Sequence, residues 1–132
     1  MNYTLPGNPI PMIRSRDQQQ RKTWNESRGH KAKLEVILTD QHGDNPPLRG
    51  PLCFHIAFYF EHPQHVNKLH TPIEEERCRY HVAHPRLLDL VNFIESLGRG
   101  IIFSNDYYIA AISAKKCYDD TPRTELAITV LE

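Results

Sequence analysis

The sequence predicts an α+β fold, a β-sheet with helices on one side, built as a single domain over residues 1–132. Three observations lead there. The chain has 132 residues, enough to bury one ordinary core and too few for two independent ones. Two stretches have a helical pattern, Gln18 to about Asp40 and "HPRLLDLVNFIESLGRG" at 84–100, whereas the remaining apolar runs are short and rich in β-formers. The order is β, α, β, α and then β-rich, with no internal repeat or low-complexity tract.

The elements follow in turn. "NYTL" at 2–5 alternates polar and apolar residues and is stopped by Pro6-Gly7, after which Pro9 and Pro11 keep an arm extended. From Gln18 to about Asp40 no proline intervenes, and Trp24, Leu34, Ile37 and Leu38 form a partial apolar stripe. "HGDNPPLRGP" at 42–51 is a loop, and "LCFHIAFYF" at 52–60, with β-formers on both alternating faces, reads as a central strand. Residues 61–79 are polar and aperiodic and predict a mobile excursion. In the 84–100 stretch Leu87, Leu90, Val91, Ile94 and Leu97 recur at helical spacing, with Gly98 and Gly100 as the stop. "IIF" at 101–103 and "YYIAAISAKKCY" at 107–118 then read as two strands, arranged as a hairpin around "SND", followed by a last strand "TELAITV" at 124–130.

Sixteen basic and sixteen acidic residues balance, so any attraction to nucleic acid is local rather than a field of the whole molecule. Such a patch exists at residues 14–33, which hold seven Lys/Arg against two acids. It suits phosphate contacts with Trp24 available to stack, or equally a solvated helix face with Trp24 in the core. Cys53, Cys78 and Cys117 are far apart and form no CxxC pair, which argues against a disulfide framework and for a reducing cytoplasm. The chain shows neither a signal-like start nor an apolar run of membrane-spanning length, so no membrane association is expected.

Three blocks, in order, resemble the RusA-like Holliday junction endonucleases over nearly the whole chain. "LPGNPIPMIRSR" resembles that family's opening arm, with Arg14 and Arg16 as its arginine pair, and "YDDTPRTELAITV" its closing strand. Between them Pro85, Leu87, Leu90, Phe93, Gly100, Ile101 and Asp106 match a family stretch of the form P-D-L-D-N-L-x-K-F-x-x-D, then Gly, an apolar strand and two aspartates. The resemblance implies a mixed sheet packed by two main helices, a homodimer, a four-way-junction DNA substrate, and Mg²⁺ held by clustered aspartates that activates water and neutralises charge on the phosphate.

The family's polar positions are not kept. Its aspartates fall on Arg86 and Leu88, its asparagine on Asp89, its lysine on Asn92, a later aspartate on Ser96, and the first of its final pair on Asn105, leaving Asp106. A one-residue slip is excluded, because it would rotate Leu90, Val91, Phe93 and Ile94 off the buried face by roughly 100°. Asp106 and Asp89 are therefore the candidate catalytic carboxylates and Asp106 the candidate metal ligand, with Mg²⁺ held weakly or not at all. Arg86 is expected to contact Asp106 in place of a metal bridge. Arg14, Arg16, Arg21, Lys22, Arg86, Asn92, Lys115 and Lys116 are the residues expected to meet DNA. His81 and His84 have a spacing compatible with zinc but read better as surface imidazoles, His55 as a packed strand side chain, and His62, His65 and His70 as solvated. Two functions follow: a junction-binding family member whose cleavage is lost or strongly weakened, or a Mg²⁺-dependent junction endonuclease using Asp89, Glu95 and Asp106 in a rearranged site. A protein-binding descendant without DNA activity is the third.

Overall fold

The computed structural model describes residues 1–12, 18–62 and 80–131, with side chains of the first helix described from Gly29 onward. Arg14 and Arg16, the side chains of Arg21, Lys22 and Trp24, and most of the 61–79 excursion with His65, His70 and the acidic run 74–76 lie outside the described residues.

Four strands, β1 (Asn2–Pro6), β2 (Leu52–Glu61), β3 (Ile109–Asp119) and β4 (Arg123–Val130), form one mixed sheet in the order β1-β4-β2-β3. Among the described residues two helices accompany it, α1 (Gln18–His42) and α2 (Leu87–Gly98). The β2 run is central as expected, antiparallel to β4 and parallel to β3. Its alternation sorts the sheet's faces: Leu52, Phe54, Ile56, Phe58 and Phe60 are buried while His55 is exposed. Leu126 and Ile128 of β4 and Tyr3 and Leu5 of β1 share that buried face by register. Leu38 of α1 and Leu90, Val91, Phe93, Ile94 and Leu97 of α2 close the core against it. Leu88, by contrast, is 63% exposed, so the apolar register read from the sequence is the one that packs.

The 101–103 stretch is not a strand, and no hairpin forms with 107–118. Three residues are too few to form a ladder, and their better use is as a plug: Ile102 and Phe103 are fully buried. Their backbone closes a turn, with Ile102 N–H donating to Gly98 O at 2.8 Å and Leu48 N–H donating to Ile102 O at 2.6 Å. Gly100, at φ 87°, makes this turn in a conformation that favours glycine and donates to Phe103 O. The chain then passes through a 3-10 turn, Asp106–Tyr108, into β3, which lies parallel to β2 because α2 has carried it back across the sheet.

α1 ends on a buried polar contact the sequence reading had not singled out. His42, only 3% exposed, meets the Tyr3 hydroxyl through Nδ1 at 2.8 Å and Pro46 O through Nε2 at 3.2 Å. Cys53 is a free thiol. Cys117 is disulfide-bonded, which runs against the reading of the cysteines as belonging to no disulfide framework. Among the described residues no helix is long and apolar enough to cross a membrane.

Candidate DNA-binding crevice and carboxylate pair

The polar residues of α2 fall at two places, one at each end of the helix. At the N-terminal end a crevice of about 550 Å³ opens between the arm and the first turn, lined by Pro11, Met12, His84, Pro85, Arg86, Asp89 and Asn92. The arm is fixed there by the Met12 N–H, which donates to Asp89 O at 2.9 Å. Asp89 and Asn92 share a helix face by their spacing of three. Arg86 stands at the N-cap in extended backbone (φ −72°, ψ 143°) and its side chain makes no capping bond. Among the described residues its guanidinium has no ion-pair partner, so the crevice holds an uncommitted cation.

Lys116, which is not part of the crevice lining, holds the backbone that carries His84 and Pro85. Its Nζ reaches across from β3 and donates to Ala83 O at 2.8 Å and Pro85 O at 2.7 Å, and burial lowers its pKa. The ammonium expected to meet phosphate is thus occupied in holding the 83–85 backbone, where the His84–Pro85 peptide is cis. Lys115, next along the strand, is exposed on the other face of the sheet.

At the C-terminal end of α2, Arg99 Nη2 lies 3.2 Å from Asp106 Oδ2 and 4.0 Å from Glu95 Oε1. The Glu95 carboxyl is pushed above the usual range, first by burial, then by a hydrogen bond to Asp106 and the charge of Asp106, against the lowering effect of Arg99. The expected Arg86–Asp106 contact is therefore absent, and Arg99 takes that place. The reason is length: α2 has 12 residues, about 18 Å of rise, with Arg86 before its first turn and the turn bearing Asp106 folded against its last. Asp89 precedes Glu95 by six residues, about 9 Å of rise, and no three such side chains group among the described residues, so the three carboxylates proposed for a rearranged site resolve into a pair and an outlier.

These residues do not fit a hard divalent cation, which takes several oxygen ligands about one point. Two carboxylates share a guanidinium, and among the described residues no group of three or more His, Cys, Asp or Glu side chains is placed to hold a metal ion. Ser96, on the same helix, accepts a hydrogen bond from Lys31 Nζ at 2.8 Å and ties α1 to α2.

The two histidines read as a possible zinc pair separate as well. His84 is exposed and lines the crevice. His81 is not a surface imidazole but 8% exposed, stacked on Phe60 at 4.0 Å between centroids, with its Nδ1 buried and unpartnered. Burial and then the charge of Lys116 lower its pKa. His55 is exposed rather than packed, with Nε2 3.4 Å from Cys53 Sγ. Arg99 and Lys31 were missed by the sequence reading. The Glu95–Arg99 spacing of four was legible as a helical ion pair, but Arg99 sits in "GRG", where glycine signalled only the helix stop.

Comparison with known proteins bears on what this arrangement belongs to. The family model for endodeoxyribonuclease RusA matches residues 6–129, from the end of β1 through the crevice to β4. The chain belongs to the RusA endodeoxyribonuclease family. A search of the curated proteins found no match. RusA membership supports a function of the Holliday-junction-resolvase kind, tied to branched DNA and recombination. RusA-family nucleases in general depend on a divalent metal, and it is on that point that the donor set of this chain stands apart.

Proposed function

We propose that this RusA-family protein binds four-way-junction DNA as a homodimer in cytoplasmic recombination and repair, and that its metal-dependent cleavage is lost or strongly weakened. The observation that carries the reading is the division of cations on α2. Asp106, the candidate metal ligand, is neutralised by Arg99, while Arg86 lines the crevice with no ion-pair partner among the described residues. A guanidinium in a cleft suits bidentate hydrogen bonding to a phosphate, and Asn92 beside it offers an amide donor. Arg14, Arg16, Arg21, Lys22 and Lys115 would extend the phosphate track beyond the crevice. Lys116 would contribute by holding the Ala83 and Pro85 carbonyls behind the crevice.

The experiment is a gel assay of a labelled four-way junction against a linear duplex of the same sequence, with and without Mg²⁺ or Mn²⁺. The expected result is junction-selective, salt-sensitive binding without nicking, weakened by Arg86→Ala. Specific nicking that Asp106→Asn abolishes would overturn the loss of cleavage. Absence of salt-sensitive binding would move the protein to the class of protein-binding descendants. One observation favours residual chemistry: Glu95 and Asp106 are in contact, so Arg99→Gln is the variant in which nicking would first reappear.

A further inference from the structure

The sheet has a covered face and an open one. Leu52, Phe54, Ile56, Phe58 and Phe60 of β2 belong to the core, so by strand alternation Cys53, His55, Ala57 and Tyr59 point the other way. Register places Ala111 and Thr129 on either side of Cys53, and Ser113 and Ala127 on either side of His55. All four neighbours are small and cannot cover the two side chains between them. His55 is exposed and Cys53 half-buried. The charges of this face lie one pair further on, where Lys115 and Glu125 flank Ala57 with opposite signs and Glu125 is held by Arg123 Nη2 at 3.5 Å. The space above Cys53 and His55 is therefore open, and the nearest flanking charges cancel.

Within it Cys53, a free thiol, has its Sγ 3.4 Å from His55 Nε2. As a hydrogen bond this contact is weak and holds one shared proton. As a pair of metal ligands it is already at the working distance. Zinc lies about 2.3 Å from a thiolate sulfur and about 2.0–2.1 Å from an imidazole nitrogen, and a tetrahedral angle between those bonds sets sulfur and nitrogen about 3.5 Å apart. A linear arrangement of the same bonds would need about 4.3 Å. The observed separation suits a tetrahedral ion and not a linear one. Thiolate with imidazole is a donor set that suits zinc, whereas Mg²⁺ takes oxygen.

We propose that Cys53 and His55 bind a divalent cation of the zinc class on the open face of the sheet, with the two remaining tetrahedral positions left to water. The ion takes the place of the shared proton. Cys53 releases its proton to solvent, and the thiolate sulfur and the neutral Nε2 each donate an electron pair to the metal. Neither side chain has to move far, because the strand holds the two at the required separation. Two protein ligands, against the four of a structural zinc centre, make this an open and exchangeable site. It shares no residue with the Glu95–Asp106 pair or with the crevice at α2.

The probe is Co²⁺, which substitutes for zinc in tetrahedral sites and gives a near-ultraviolet charge-transfer band when bound to thiolate. It is titrated with no DNA and no thiol reductant present, so the outcome is independent of the proposed function and the Cys117 bridge stays closed. Wild type is expected to develop the band to saturation at one Co²⁺ per chain and to lose it when excess Zn²⁺ is added. Cys53→Ser should remove the band, and His55→Ala should leave it unsaturated over the same range, both with unchanged circular dichroism. Thr129→His tests the placement by gain: Thr129 lies opposite Cys53, with Cβ atoms about 4.5–5.5 Å apart in such a pair. A third ligand there should lower the Co²⁺ concentration at half-saturation. Wild type without a charge-transfer band overturns the proposal. A band that survives Cys53→Ser, or that His55→Ala leaves unchanged, marks an adventitious ion only and overturns it equally, as does a half-saturation point that Thr129→His does not lower.

Discussion

Lys116→Met separates a phosphate contact from a structural staple. The two bonds lost run from a charged donor to Ala83 O and Pro85 O, and hydrogen bonds to charged groups contribute about 1.5–3 kcal/mol each. One of the two is solvent-exposed and the other only partly buried. Methionine keeps the apolar stem and removes the desolvation that burial imposes on the ammonium. The net loss should therefore be at the low end, about 2 kcal/mol in all. For a domain of this size that corresponds to a fall in Tm of roughly 5–10 °C. Junction affinity should fall too, because the Pro85 and Arg86 wall of the crevice is no longer held. The dependence of log affinity on log salt should keep its slope, since no phosphate contact has gone. Thermal melting and a salt titration of junction binding by fluorescence anisotropy read both quantities. An unchanged Tm with a slope shallower by about 0.9, the contribution of one phosphate contact, would show that Lys116 meets DNA and that its carbonyl contacts carry little.

Three further outcomes follow from packing and charge. His81→Phe should raise stability by about 1–2 kcal/mol, because it removes a buried unpartnered nitrogen while keeping the stack on Phe60. His81 has a lowered pKa, so the unfolded chain binds its proton more readily. Wild type should accordingly lose stability as pH falls below the ordinary histidine value of about 6.5, and His81→Phe should lose less in urea melts across that range. Glu95→Gln acts in the other direction of pH: the raised Glu95 pKa gives stability that is full below the unfolded carboxyl value and lost as pH rises through the folded one. The variant should gain up to about 1 kcal/mol over wild type near neutral pH and nothing in acid, the limit being set by partial exposure; parallel melts in the two buffers check it. Gly98→Ala should destabilise by about 1–3 kcal/mol despite better helix propensity, since the new Cβ would lie 3.0 Å from Phe103 Cε1 in a fully buried ring; a chemical denaturation midpoint at or above wild type would refute the packing argument.

The fold was legible wherever apolar periodicity was strong. The β2 run and the α2 stripe announced a central strand and a packed helix, and Leu88, which lies outside that stripe, is exposed. The 101–103 stretch was misread because three apolar residues have the same appearance in a strand and in a buried plug, and only the long-range bond from Leu48 decides between them. Parallel pairing of β3 was hidden for a related reason, since adjacency in sequence favours a hairpin until the helix crossover is placed. The site was legible in its residue types and less so in its pairings. The expected Arg86–Asp106 contact was wrong, because a linear alignment cannot measure the roughly 18 Å of helix that separates the two, and Arg99 is the cation beside Asp106.

That exchange changes the energetic meaning of both arginines. Arg99 lies just beyond the C-terminus of α2, where the helix dipole favours a cation by about 0.3–1 kcal/mol, and two carboxylates add to the preference. It is stable where it is and has little reason to leave for a ligand. Arg86 occupies the opposite end, where the same dipole disfavours a cation and no side chain caps the helix. Asp89, in the first turn and lining the same crevice, offsets part of that. What remains is relieved by an anion entering from solvent, and a DNA phosphate would supply it. A protein that needed only to neutralise Asp106 has done so with Arg99 alone. Among the described residues no carboxylate pairs with Arg86, which supports the proposal that a DNA phosphate would meet the N-terminal crevice of α2 rather than the Asp106 carboxylate.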